Sequence, residues 1–188
     1  MYSRYVKRAL DIAVSGVALV GLSPALVLVS ILIYLDDRGS VFFRQRRVGR
    51  HEREFSILKF RSMEVGSSNL PSASASNLRI TRFGRLIRRT NIDELPQLVN
   101  IFRGEMSLVG PRPALASQIE LLRIRREGAA TEWRPGLTGL AQVCSYTGMD
   151  EATKGALDCR YCANVSFLGD LAIIARTFLY LLKPPPVY

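Results

Sequence analysis

Histidine is almost missing from this 188-residue sequence, which has only His51, and cysteine is confined to Cys144, Cys159 and Cys162. The Cys159/Cys162 pair has metal-ligand spacing, but no second pair exists and His51 is remote, so the four ligands of a structural zinc site are not supplied. An odd number of cysteines crowded near one end suits a reducing compartment better than a disulfide framework. Also missing are internal repeats, a Walker-type glycine loop, a dinucleotide-binding fingerprint and a His-Glu metal motif, so the usual nucleotide-binding scaffolds are unsupported. Acidic residues are scarce, 16 against 26 Lys and Arg, and the formal charge of +10 draws phosphate groups of some kind. The length rules out two large domains.

One long apolar run is present, over residues 12–35. About 20 such residues are enough to cross a bilayer as a helix. It is too long for a secretory signal peptide, and no small-x-small cleavage site follows it. Gly21, Ser23 and Pro24 lie in its middle, and an interior proline removes a backbone hydrogen bond, so a kink is expected at Ser23-Pro24. Arg4, Lys7 and Arg8 precede the run, and Arg38, Arg44, Arg46 and Arg47 follow it. Basic flanks stay on the cytoplasmic side, so a helix that enters, breaks at Ser23-Pro24 and returns fits better than a full crossing. The expected organisation is therefore a re-entrant membrane helix with its basic flank over residues 1–37, followed by a body over residues 38–188 on the cytoplasmic face.

In that body, residues 41–47 and 54–60 are rich in aromatic and β-branched side chains and are separated by Gly49-Arg50-His51-Glu52, which predicts a short β-hairpin. Residues 65–77 shift to Gly, Ser, Ala and Asn, a surface loop by composition. Residues 79–89 place Phe83, Leu86 and Ile87 at helical spacing among arginines, the pattern of a basic amphipathic helix at a membrane surface. A second apolar stretch, residues 171–182, is too short to span but suits the interface, and three prolines from Pro184 to Pro186 end it. The fold class expected is α+β, mainly helical, with interfacial helices and one small hairpin.

Asp93 and Glu94 form an acidic pair soon after a run of arginines. Two readings stand side by side. Asp93 can cap a helix whose first turn tolerates Pro96. Alternatively, the carboxylate can attack phosphorus, as in enzymes that form an aspartyl phosphate, provided cations offset the repulsion between anions. Arg112, in Gly110-Pro111-Arg112-Pro113, is restrained by prolines and could present its fork to two phosphate oxygens, or could belong to a simple rigid turn. Arg134, in Trp133-Arg134-Pro135-Gly136-Leu137-Thr138-Gly139, fits either substrate recognition or loop packing.

Taken in order, Phe43-Arg44-Gln45, Lys59-Phe60-Arg61-Ser62-Met63, Asp93-Glu94-Leu95-Pro96-Gln97, Gly104-Glu105-Met106-Ser107-Leu108-Val109-Gly110-Pro111-Arg112-Pro113 and Arg134-Pro135-Gly136-Leu137-Thr138-Gly139 resemble the monotopic phosphoglycosyl transferases across nearly the whole chain. The resemblance implies a bacterial inner-membrane enzyme that moves a phosphosugar from a UDP-sugar to polyprenyl phosphate and initiates glycoconjugate assembly. It implies Asp93 as the nucleophile, Glu94 as its catalytic partner, Mg²⁺ beside the pair with Asp93 as ligand, and Lys59, Arg88, Arg112 and, more weakly, Arg134 on the phosphates. Two residues depart from the pattern: Glu105 stands where Asp is common before Met-Ser, and Glu52 stands where the hairpin turn often has Gly. A membrane scaffold of the same fold without catalysis is the nearer rival. A tethered nucleic-acid-binding protein is more distant, because no recognisable module is present and no nucleic-acid partner is expected.

Overall fold

A computed structural model describes residues 2–64, 80–144 and 149–181; the loop expected over 65–77 and the proline tail lie outside the described residues. The described chain is mainly helical, with a two-stranded antiparallel hairpin and a two-stranded parallel pair.

After a π-helical turn at Tyr2–Val6 comes α1, Lys7–Asp36. Its thirty residues would extend about 45 Å at 1.5 Å each. The hydrogen-bonded helix continues through Pro24, so the break expected at Ser23-Pro24 is not an interruption. The reason is local: Pro24 has no N–H for the Val20 carbonyl four residues back, and the Ser23 hydroxyl donates to that same oxygen at 2.7 Å.

Both arms of α1 dock on one body. On the first arm, the Asp11 carboxylate accepts from the Leu108 N–H at 2.9 Å and the Ser107 hydroxyl at 3.1 Å, while Ala18 and Leu19 pack against Ile57, Leu98, Ile101 and Met106. On the second, Leu26, Val29 and Ile33 pack against Phe60 and Ile87. Between them, residues 20–25 are all exposed, and almost none of the apolar stretch is buried within the protein. A helix so apolar and so little covered needs a non-aqueous surrounding.

The hairpin pairs β1, Phe42–Val48, with β2, Glu54–Phe60, in a register that sets Phe43 opposite Lys59. Its turn forces His51 and Glu52 into positive φ, 54° and 59°, which glycine would adopt freely. The Arg126 guanidinium grips the Glu52 carboxylate at 2.6 and 2.7 Å, which helps to hold the side chain found there in place of Gly.

Next come α2, Arg82–Arg89, capped by the Thr81 hydroxyl, and α3, Gln97–Arg103. Of the apolar residues predicted along α2, Ile87 is buried against α1 and the hairpin, whereas Leu86 is exposed. Strand β3, Ser107–Val109, pairs in parallel with β4, Gly136–Thr138. The remaining helices are α4, Ile119–Glu127; α5, Leu140–Cys144; α6, Glu151–Ala163; and α7, Phe167–Leu181. A buried Arg125–Asp158 ion pair at 2.6 Å joins α4 to α6. Asp170 on α7 accepts from Lys7, Tyr2 and Tyr161, tying the chain's end to its beginning. Ile173 of α7 faces the core, while Phe167, Leu168, Leu171, Phe178 and Leu179 are exposed, the split an interfacial helix requires.

Candidate functional site

The acidic pair lies on a 3₁₀ turn, Ile92–Glu94, between α2 and α3. Thr90 closes α2, and Asn91 reverses the chain at φ 54°, a conformation asparagine tolerates well. Pro96 occupies the position before Gln97, and no side chain caps α3. The capping reading of Asp93 is therefore corrected: the extra turn moves its carboxylate ahead of the helix end, leaving it for other work.

Glu94 is the pinned member. Lys59 Nζ, from the end of β2, lies 2.7 Å from its Oε1, and Arg112 Nη2 lies 3.2 Å from the same oxygen. Burial alone would raise its pKa, but the Arg112 and Lys59 charges outweigh that and hold it below the ordinary range. Asp93 is half-buried and has no side-chain hydrogen bond or ion pair to another described residue. Burial, and then the neighbouring Glu94 charge, push its pKa up to about 6, against the opposing pull of Lys59 and Arg88. Lys59, Arg88 and Arg112 are thus brought around the pair from β2, α2 and the segment after β3.

The Arg112 frame has a specific construction. Pro111 and Pro113 are buried while Arg112 points outward. The Gly110 N–H donates to the Thr138 carbonyl at 2.9 Å, and the Gly136 N–H donates to the Pro111 carbonyl at 2.8 Å. A Cβ on Gly110 would come within 2.5 Å of the Arg134 carbonyl oxygen, so the two backbones can approach this closely only with glycine there. The motif around Arg134 accordingly acts as a backbone clasp that aims Arg112. Arg134 itself is not brought to the acidic pair. Its Nε donates to the Gly104 carbonyl at 2.8 Å, and the side chain lines a separate cavity, not the cleft of Lys59, Glu94 and Arg112.

Two further residues shape the site without having been singled out from sequence. Arg47 lines the cleft with Lys59, Glu94 and Arg112. Its Nη1 donates to the Pro113 carbonyl at 3.2 Å, its Nε is buried without a hydrogen-bond partner, and burial followed by the nearby Arg112 charge lowers its pKa. Asn100, fully buried on α3, accepts from the Leu58 N–H at 3.0 Å and donates to the Ser56 carbonyl at 2.8 Å, fixing β2 just before Lys59. Its amide also donates to Glu105 at 2.7 Å, so the glutamate found in place of aspartate still reaches a partner. Neither residue carries a local signal, since an arginine in a basic strand and an asparagine in a short helix look like surface groups.

Among the described residues no cluster of three or more His, Cys, Asp or Glu side chains that could hold a metal ion is present, so these residues form no complete cage for a cation. The donor set does fit a hard ion of the magnesium kind, which keeps several waters and takes one or two carboxylates together with substrate phosphates. Asp93, whose carboxylate has no hydrogen bond or ion pair to another described residue, is the oxygen donor that would be available to it.

A family model described as bacterial sugar transferase matches residues 2–184. The chain belongs to this family. Among its curated relatives, the exopolysaccharide production protein ExoY of Sinorhizobium fredii is 39% identical over 91% of this chain and 83% of its own length. The UDP-glucose:undecaprenyl-phosphate glucose-1-phosphate transferase of Caulobacter vibrioides is 38% identical, covering 97% of this chain and 72% of the relative. The undecaprenyl-phosphate glucose phosphotransferase of Komagataeibacter xylinus is 43% identical over 91% of this chain and 35% of its own length. In this bacterial sugar transferase, the matched region takes in the acidic turn and both arms of α1.

Proposed function

We propose that this sugar transferase moves a phosphosugar from a UDP-sugar to polyprenyl phosphate in two steps through an aspartyl intermediate. The observation that carries the reading is the division within the acidic pair: Glu94 is held by two cations, while Asp93 has no side-chain partner among the described residues. A carboxylate with a pKa near 6 is more basic, and so more nucleophilic, than an ordinary aspartate, yet it is mainly ionised at neutral pH.

In the first step an Asp93 oxygen bonds to the sugar-bearing phosphorus, the bond from that phosphorus to the bridging oxygen breaks, and UMP leaves with the electron pair. In the second, a phosphate oxygen of the polyprenyl acceptor attacks the same phosphorus and Asp93 departs as a carboxylate, giving the polyprenyl-diphosphate-sugar. Lys59, Arg88 and Arg112 lower the repulsion between the carboxylates and the diphosphate, and Glu94 keeps Lys59 and Arg112 in place. Mg²⁺ held by Asp93 would supply further charge neutralisation on the diphosphate.

The membrane geometry supports the same reading. Both arms of α1 dock on one body and its exposed middle carries Ser23 and Pro24, as in a helix that dips into the cytoplasmic leaflet of the inner membrane and returns. The acidic turn then meets a soluble donor and a lipid acceptor at one boundary. Incubating the protein with UDP-sugars in the absence of acceptor tests the chemistry. A stoichiometric burst of UMP, with the phosphosugar trapped on Asp93 after quenching, is expected from the genuine donor. Normal product formation with no adduct ever trapped would overturn the two-step reading.

A further inference from the structure

A cavity of about 500 Å³ lies at the far end of α3 from the acidic turn, and the seven residues of that helix separate the two by about 10 Å. Four cationic and two carboxylate side chains line it, an excess of two positive charges. Some of these are already committed. Lys7 is spent on Asp170 at 2.6 Å, Asp11 accepts from Ser107 and Leu108, and Glu132 faces His51 at 3.5 Å.

Arg8, Arg50 and Arg134 are different. Arg8 donates to the carbonyls of Ile101 and Phe102 at 2.7 and 3.0 Å, Arg50 Nε to that of Glu132 at 2.7 Å, and Arg134 Nε to that of Gly104 at 2.8 Å. None of the three has a carboxylate partner among the described residues. Neutral carbonyls orient a guanidinium without cancelling its charge, and burial together with the Arg50 and Arg8 charges lowers the Arg134 pKa. Arg50 and Arg134 use only Nε, so both ends of their forks remain for an incoming acceptor. Capping of α3 accounts for Arg8 and Arg134 but not for Arg50, which holds a carbonyl outside that helix.

We propose that this cavity is a second anion site, in which Arg8, Arg50 and Arg134 bind a phosphate ester whose organic part lies against Trp133. Phosphate oxygens match guanidinium forks in geometry and charge, and the indole offers an apolar wall. The ester can come from a lipid headgroup, since Lys7 and Arg8 begin the apolar helix, or from a soluble metabolite.

Trp133 is the only tryptophan in the chain, so its fluorescence reports on this cavity and not on the acidic turn. The full chain in maltoside detergent, which contains no phosphate, is titrated in one arm with glycerol 3-phosphate and in the other with phosphatidylglycerol mixed into the micelles. A saturable change in either arm is expected and names the source. Arg50→Gln or Arg134→Gln should weaken it about tenfold, and Asp93→Asn should leave it intact. Arg50 is exposed, so its variant tests the site even if loss of the Arg134 contact to Gly104 disturbs folding. No saturable change in both arms, a response untouched in both arginine variants, or one lost with Asp93→Asn would overturn the proposal.

Discussion

The buried carboxylates Asp158 and Asp170, in the C-terminal half of the molecule, are each closed by a cation, whereas those of the acidic turn are unequal. Asp158 receives Arg125 through two nitrogens, and Asp170 collects Lys7, Tyr2 and Tyr161. At the turn, Glu94 has Lys59 and Arg112, while Asp93 has neither. The engaged residues join helices distant in sequence, α4 to α6 and α7 to α1. An anchor holds a cation on its carboxylate, and a nucleophile must keep an oxygen free to attack. Burial raises the pKa of both Asp158 and Asp93, but only Asp158 has a guanidinium closed upon it, so the same physical cost serves architecture in one place and reactivity in the other.

The largest effect should come from breaking the free carboxylate. Asp93→Asn keeps the shape but loses the anion, and turnover should fall at least about 1,000-fold in a UMP-release assay. Breaking an anchor should do the reverse. Asp158→Asn strands Arg125 without its counter-charge and should cost roughly 3 to 5 kcal/mol in denaturant unfolding, with the turnover of the folded fraction unchanged.

Glu94→Gln sharpens the contrast within the pair. It removes the charge that organises Lys59 and Arg112 but not the attacking group, so kcat should fall about 100-fold in steady-state assays, less than for Asp93→Asn.

The smallest effects concern pH. Because the Asp93 pKa is raised to about 6, kcat/KM for the donor should climb about tenfold per pH unit below 6 and level off above it. For stability the sign is opposite. A carboxyl whose pKa is higher folded than unfolded stabilises below its unfolded value of 3.8, and that contribution is lost as pH rises through about 6. Asp93→Asn should therefore be the more stable protein at pH 7.5, by roughly 1 to 3 kcal/mol, and the difference should vanish in acid. Unfolding curves at several pH values check both the sign and the window.

Much of the framework was legible along the chain. The apolar run, the hairpin and the amphipathic α2 each express a short period or a composition that needs no distant partner. The motif Asp93-Glu94-Leu95-Pro96-Gln97 marked the carboxylates, and Pro111 and Pro113 marked Arg112 as restrained. The role of Ser23 was hidden, because replacing the hydrogen bond that Pro24 cannot make depends on one rotamer. The direction of Arg134 was not legible, because its motif clasps the backbone beside Arg112 while the side chain leaves toward the Gly104 carbonyl.

The sequence by itself determined that this chain has a membrane-length apolar helix, a basic surface and an acidic pair in a family motif. Only the tertiary structure decided that Lys59 and Arg112, 35 and 18 residues from Glu94, close on that carboxylate and leave Asp93 open. Periodicity and turn chemistry are written in neighbouring residues. The partner of a charge is chosen by which surfaces the folded backbone brings within hydrogen-bonding reach.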